Sequence, residues 1–127
     1  MALELDRIRL GFKEIIEISK PRIVVLLVIT AVTSMYAASK LVDGVPELDY
    51  WSYLHIIIAG ALASAGSSAL NHYYDKDIDP KMTRTSTRPI PSGRMTASHV
   101  FIYGLVVSCV SVIYGFFALN AISAFFI

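Results

Sequence analysis

The chain has 127 residues, 55% of them hydrophobic, with a net charge of +1 and a mean hydropathy of +0.60. Only 17% of residues are charged and they are clustered, which argues against a soluble globular domain and for an all-α, multi-pass membrane bundle. The cations sit beside apolar segments, so no nucleic-acid partner is expected, and the single Cys109 excludes an internal disulfide framework and a cysteine-rich metal site.

Residues 1–19 place Leu5, Ile8, Phe12, Ile15 and Ile16 at helical spacing with charged residues between them. This predicts an amphipathic helix, either lying in the membrane interface or docked as a solvated helix on the protein. Acidic residues run through it, so it does not read as a cleavable signal peptide. Ser19-Lys20-Pro21-Arg22 opens a first span over residues 21–42, because serine caps and proline suits a first helical turn. Lys40 lies near its far end, where a long side chain can reach the interface. The turn-rich residues 43–49 lead into a second span, 50–74, with Tyr50 and Trp51 at one end and Tyr73 and Tyr74 at the other as expected aromatic belts.

Within that span Gly60, Ser64, Ser67, Ser68 and Asn71 form a stripe of small and polar residues. Such a stripe either packs closely on another helix or lines a cavity leading to the acids beyond it. Pro80 disfavours helix at Asp79, so residues 75–99 read as a charged loop, and a loop of that length in a compact membrane protein points to function. A third span is expected over 100–119 with Ser98 as its cap, and Cys109 within it as a small packing residue. Ala121 begins what should be a fourth span, and the chain reads as the first part of a longer protein with a single domain. Five cations precede the core of the first span and five follow the second, with Lys40 alone near the other side. The positive-inside rule then places the N-terminus and loop 75–99 in the cytoplasm.

The second span leads directly into Asn71-His72-Tyr73-Tyr74-Asp75-Lys76-Asp77-Ile78-Asp79. On an ideal helix Asn71, Asp75 and Asp79 fall within an arc of about 80°. Hard oxygen donors of this kind suit Mg2+, which uses one or two carboxylates together with substrate phosphate oxygens. Lys81, Arg84 and Arg88 follow within loop reach and suit a diphosphate, whose developing charge metal and arginine stabilise electrostatically. A prenyl tail on that diphosphate would explain the membrane setting, since an apolar cavity also keeps water from an allylic cation. The plain alternative is that the acids are solvated or salt-bridged to the arginines after them.

Asn71-xxx-Asp75-xxx-Asp79, followed by Arg84 and Arg88-Pro89-Ile90-Pro91-Ser92-Gly93-Arg94, closely resembles the first signature of the intramembrane UbiA-type prenyltransferases. The Tyr74-Asp75-Lys76-Asp77-Ile78-Asp79 form, Met82-x-Arg84-Thr85 and Lys20-Pro21-Arg22 are most similar to the branch that farnesylates haem. The resemblance implies that Asn71, Asp75 and Asp79 bind Mg2+ and farnesyl diphosphate, with Arg84 and Arg88 near the diphosphate. Haem B is then the acceptor and haem O the product, in association with haem-modifying or terminal-oxidase assembly proteins. Family members have about nine transmembrane helices and a second acid-rich motif that does not occur in this chain, so this stretch alone is expected to be inactive. His55, His72 and His99 read as packing or interfacial residues before axial haem ligands. Two other readings stand beside this one: a sister enzyme acting on a quinone precursor or prenylglyceryl phosphate, and a non-catalytic cation-binding membrane protein.

Overall fold

The computed structural model describes residues 2–41, 43, 49–120 and 125, with side chains from residue 11 onward. Four helices follow in order: α1 (Ala2–Ser19), α2 (Pro21–Leu41), α3 (Tyr50–Tyr74) and α4 (Ala97–Ala118). No strand occurs among the described residues. Helix α2, a span covering α3 and its extension to Asp77, and α4 are each long and apolar enough to cross a membrane. The expected start of a fourth span at residue 121 and the turn at residues 44–48 lie outside the described residues.

Local chemistry sets the helix ends. Asp49 caps α3 by accepting hydrogen bonds from the Ser52 backbone N–H at 3.0 Å and the Ser52 hydroxyl at 2.6 Å. These bonds hold the Asp49 carboxyl below the usual carboxylate range. Thr96, not Ser98, caps α4, accepting from the His99 N–H, so α4 begins at Ala97 instead of near residue 100. Thr96 has the extended backbone that a capping residue needs, whereas Ser98 already lies inside the helix. In α2, Thr30 and Thr33 donate back to the carbonyls of Leu26 and Ile29, which satisfies their hydroxyls within the helix.

Helices α3 and α4 form the tightest pair. They run antiparallel, with His55 hydrogen-bonded to the Tyr114 hydroxyl at 2.7 Å near one end and Tyr73 packed on Phe101 at 4.8 Å near the other. Between these contacts Ser111 donates to the Ala59 carbonyl at 2.9 Å. Gly66 and Gly104 let the backbones touch: a Cβ on Gly66 would sit 2.8 Å from the Ser108 nitrogen, and one on Gly104 3.0 Å from the Leu70 nitrogen. Tyr73 is therefore a packing residue, while Tyr50, Trp51 and Tyr74 are exposed, as an interfacial belt requires. Cys109 is exposed, not packed, because it lies off the α4 face that meets α3.

Helix α1 docks on the bundle through its last turns. Ile18 is fully buried with Ala69 and Val100, and Ser19 hydrogen-bonds the Tyr103 hydroxyl at 3.1 Å. Phe12 and Ile16, expected on the apolar face, are exposed, so the docking face is rotated from the one that spacing suggested. The expected contribution of Leu5 and Ile8 lies outside the described side chains.

Candidate active site

Helix α3 ends at Tyr74, and the Asp75 N–H closes it on the carbonyls of Asn71 and Tyr73. Two short 3-10 turns follow, Asp75–Asp77 and Asp79–Lys81. Asp75 and Asp79 therefore do not share the face of one continuous α-helix, as the sequence spacing predicts. Pro80 lacks the N–H that a continuing α-helix needs, but its fixed φ suits the first turn of a new one, so Asp79, where helix was expected to be disfavoured, opens a 3-10 turn instead.

The chain after Asp79 folds back on it. Thr85, buried, donates from its hydroxyl to the Asp79 carbonyl at 3.0 Å, and successive turns bring Arg88 round. Nη1 of Arg88 donates to both Asp79 carboxylate oxygens, at 2.8 and 2.9 Å, and lies 3.8 Å from Asp75 Oδ2. The Asp79 side chain is 4% exposed and that of Asp75 is 49% exposed. The two acids thus differ in kind: Asp79 is a buried partner of arginine, and Asp75 is open to solvent. The salt-bridged alternative describes Asp79, whose two oxygens are both engaged by Arg88.

The other predicted residues divide. Asn71 is exposed and lines a groove between α2 and α3. Arg84 is exposed and within electrostatic reach of Lys20. Lys81 is exposed and, among the described residues, its ammonium makes no ion pair. Among the described residues no cluster of three or more His, Cys, Asp or Glu is spaced to hold a metal ion, so a metal here would draw on Asp75, the Asn71 amide and ligand oxygens. A single carboxylate with a neutral oxygen donor fits that mode, whereas Asp79 would first have to release Arg88. His72 is buried with neither ring nitrogen hydrogen-bonded to protein, His55 is tied to Tyr114, and His99 is exposed.

The groove has a volume of about 660 Å3. Ile23, Leu27 and Ala31 form its α2 wall, one per turn, and Gly60, Ser64, Ser67 and Asn71 its α3 wall. The stripe of small residues therefore lines a cavity, while close packing falls on the neighbouring Ala59–Gly66 side that meets α4.

Lys20 stands at the junction of groove and acids, a position that sequence reasoning did not assign. It links α1 to α2 with φ at +49°, a left-handed backbone that side-chain-bearing residues rarely adopt. It lines the groove and feels Arg88, Asp75, Asp79 and Arg84. Burial holds its ammonium below the ordinary lysine range, Arg88 pushes the same way, and Asp75 and Asp79 offset this only in part. Lys20, Arg84 and Arg88 thus stand in one cluster with Asp75 and Asp79 at the end of the groove that Lys20 lines. The Lys20-Pro21-Arg22 run was the only sequence signal for this placement.

Arg94 locks the arrangement from outside. Its guanidinium donates to both Glu17 oxygens, at 2.8 and 3.0 Å, and to the Thr87 carbonyl at 2.7 Å, joining α1 to the loop. These bonds hold the Glu17 carboxyl below the usual range despite some burial.

A chain whose described residues form helices alone, three of them long and apolar enough to cross a membrane, with a groove between two of these and an acid–cation cluster at its mouth, defines a polytopic membrane protein. The sequence matches the UbiA prenyltransferase family over residues 26–127, and the chain belongs to that family. It is 64% identical over 118 residues to protoheme IX farnesyltransferase 1 of Cenarchaeum symbiosum, covering 93% of this chain and 40% of that protein. It is 38% identical over 111 residues to protoheme IX farnesyltransferase of Chloroflexus aurantiacus, covering 87% of this chain and 18% of the relative. For the Pyrobaculum neutrophilum enzyme of the same name, identity is 36%, over 85% of this chain and 37% of the relative. The chain thus spans well under half the length of these relatives. No solved structure matches it.

Proposed function

We propose that the protein carrying this chain transfers a farnesyl group from farnesyl diphosphate to a vinyl group of haem B, making haem O. The observation that carries the prenyl-transfer part is the convergence of Asp75, Asp79, Arg88 and Lys20 at the mouth of the apolar-walled α2–α3 groove. A prenyl diphosphate has that polarity: a polyanionic head and a hydrocarbon tail. The acceptor is inferred from the names of the relatives.

In this reading Lys20 and Arg84 bind the diphosphate, with Lys81 within loop reach, and Arg88 is held for the same task by Asp79. Asn71 and Asp75 would hold Mg2+, which supplies charge neutralisation to the departing diphosphate. Asp79 is thus a positioning residue, acting through Arg88. The C1–O bond of farnesyl diphosphate breaks with its electron pair leaving on diphosphate. The vinyl π-electrons form the new C–C bond, and water adds to the resulting cation and loses a proton. The groove walls keep other water from the allylic cation. The N-terminus and the loop are cytoplasmic in this reading, so the diphosphate arrives from that side. Haem O then passes to proteins that modify haem or assemble terminal oxidases.

The test is haem extraction from cells expressing the full protein, wild type beside Asp75→Ala. Haem O that appears with wild type and disappears with the variant is expected. Prenylation of a quinone precursor or of prenylglyceryl phosphate, with haem B untouched, would overturn the acceptor and leave the family assignment standing. Ion flux through vesicles without diphosphate turnover would instead favour a cation-binding membrane protein.

A further inference from the structure

A second cavity, of about 520 Å3, opens in the elbow where α1 turns into α2. Ile16, Pro21 and Ile23 form its apolar walls, and Lys13, Lys20 and Arg22 stand around it. The acid on its rim, Glu17, is already engaged by two hydrogen bonds from Arg94. Among the described residues Lys13, Lys20 and Arg22 make no ion pair. The elbow therefore gathers three cations without a direct ion pair, with the acids nearest Lys13, Glu17 and the buried Glu14, sharing Arg94, and with Asp75 and Asp79 acting on Lys20 at longer range.

The surroundings specify the kind of anion. Phe12 and Ile16 are exposed on α1, and Ile23, Leu26 and Leu27 are exposed on the first turns of α2. Cations thus sit at the head of a continuous apolar surface that descends along a membrane span. A soluble phosphate would meet the cations and leave Ile16 and Ile23 uncovered. A phospholipid meets both, its phosphate among the cations and its acyl chains along the exposed Ile16 and Leu26.

We infer that the α1–α2 elbow is a binding site for one anionic phospholipid, with Lys13 and Arg22 gripping the headgroup. The site opens beside the groove and shares Lys20 and Ile23 with it, so a bound lipid also sets the charge around a lysine that feels Asp75 and Asp79. This inference does not depend on the identity of the acceptor.

The experiment uses the full protein in phosphatidylcholine bilayers containing a trace of spin-labelled phosphatidylglycerol or spin-labelled phosphatidylcholine. Electron paramagnetic resonance reads the fraction of each label held by the protein. Wild type should prefer the anionic label roughly tenfold, and Lys13→Gln with Arg22→Gln should bring the ratio close to one. The charge-conserving pair Lys13→Arg with Arg22→Lys should keep most of the preference, which separates loss of charge from loss of fold. No preference in wild type would overturn the site outright. An unchanged ratio in the neutral pair would overturn the assignment to these residues. Full displacement of the anionic label by millimolar inorganic phosphate, at constant ionic strength, would make this a soluble-phosphate site and overturn the lipid.

Discussion

Replacing Arg88 by methionine tests the central ion pair. The substitution keeps an unbranched stem but leaves the Asp79 carboxylate, 4% exposed, without either of its charged hydrogen bonds. Stranding a fully buried charge costs about 3–5 kcal/mol. Arg88 is 21% exposed, so water can reach part of the vacated space and the lower end, about 3 kcal/mol, is expected. Asp79→Asn keeps one acceptor oxygen and leaves a guanidinium that still has Asp75 nearby, so its cost should be about 1–2 kcal/mol. Because each single change destroys the same contact, the double variant should lose at least about 1.5 kcal/mol less than the sum. Reversible unfolding in mixed micelles, followed by helicity, measures all four corners of the cycle. Additivity within about 0.5 kcal/mol would refute the pairing, and with it the role given to Asp79 as the residue that positions Arg88.

Four further outcomes follow from the geometry. Gly66→Val should destabilise by about 2–3 kcal/mol in the same unfolding assay, because even its Cβ meets backbone of α4; Gly93→Ala should cost about 1 kcal/mol, from its φ of +74° alone. Lys20→Gly should be about 1 kcal/mol more stable than Lys20→Ala, since glycine accepts the left-handed backbone, yet both should weaken farnesyl diphosphate binding equally. A difference in binding between them would assign the effect to the elbow's conformation instead of the ammonium. The pair Glu17–Arg94 should stabilise the docking of α1 by under about 1 kcal/mol, being partly exposed. Because folding lowers the Glu17 pKa from 4.5, this contribution is present above that value and fades as pH falls through the lower folded value. Glu17→Gln should therefore unfold earlier than wild type at neutral pH, and the gap should close in acid.

Hydropathy by itself determined the class and the spans: only helices can carry such apolar runs through a bilayer with every backbone group satisfied. The acid–cation composition of the loop was equally plain, since Asp75, Asp79 and Arg88 are close in sequence. Tertiary structure alone decided how those residues divide. Spacing on an ideal helix made Asp75 and Asp79 equivalent, but the 3-10 turns beside Pro80 and the bond from Thr85 put Asp79 inside and left Asp75 outside. Sequence also could not choose a face for the small residues of α3. Gly60, Ser64 and Ser67 border a cavity, and Gly66 accepts α4, because both helices compete for sides of one narrow cylinder. Lys20 was furthest from view. It lies 55 residues before Asp75, and what brings it back is the burial of Ile18, the grip of Arg94 on Glu17 and a backbone angle that no residue type announced. Local pattern encodes periodicity and charge, whereas the meeting of distant groups depends on which surfaces exclude water together.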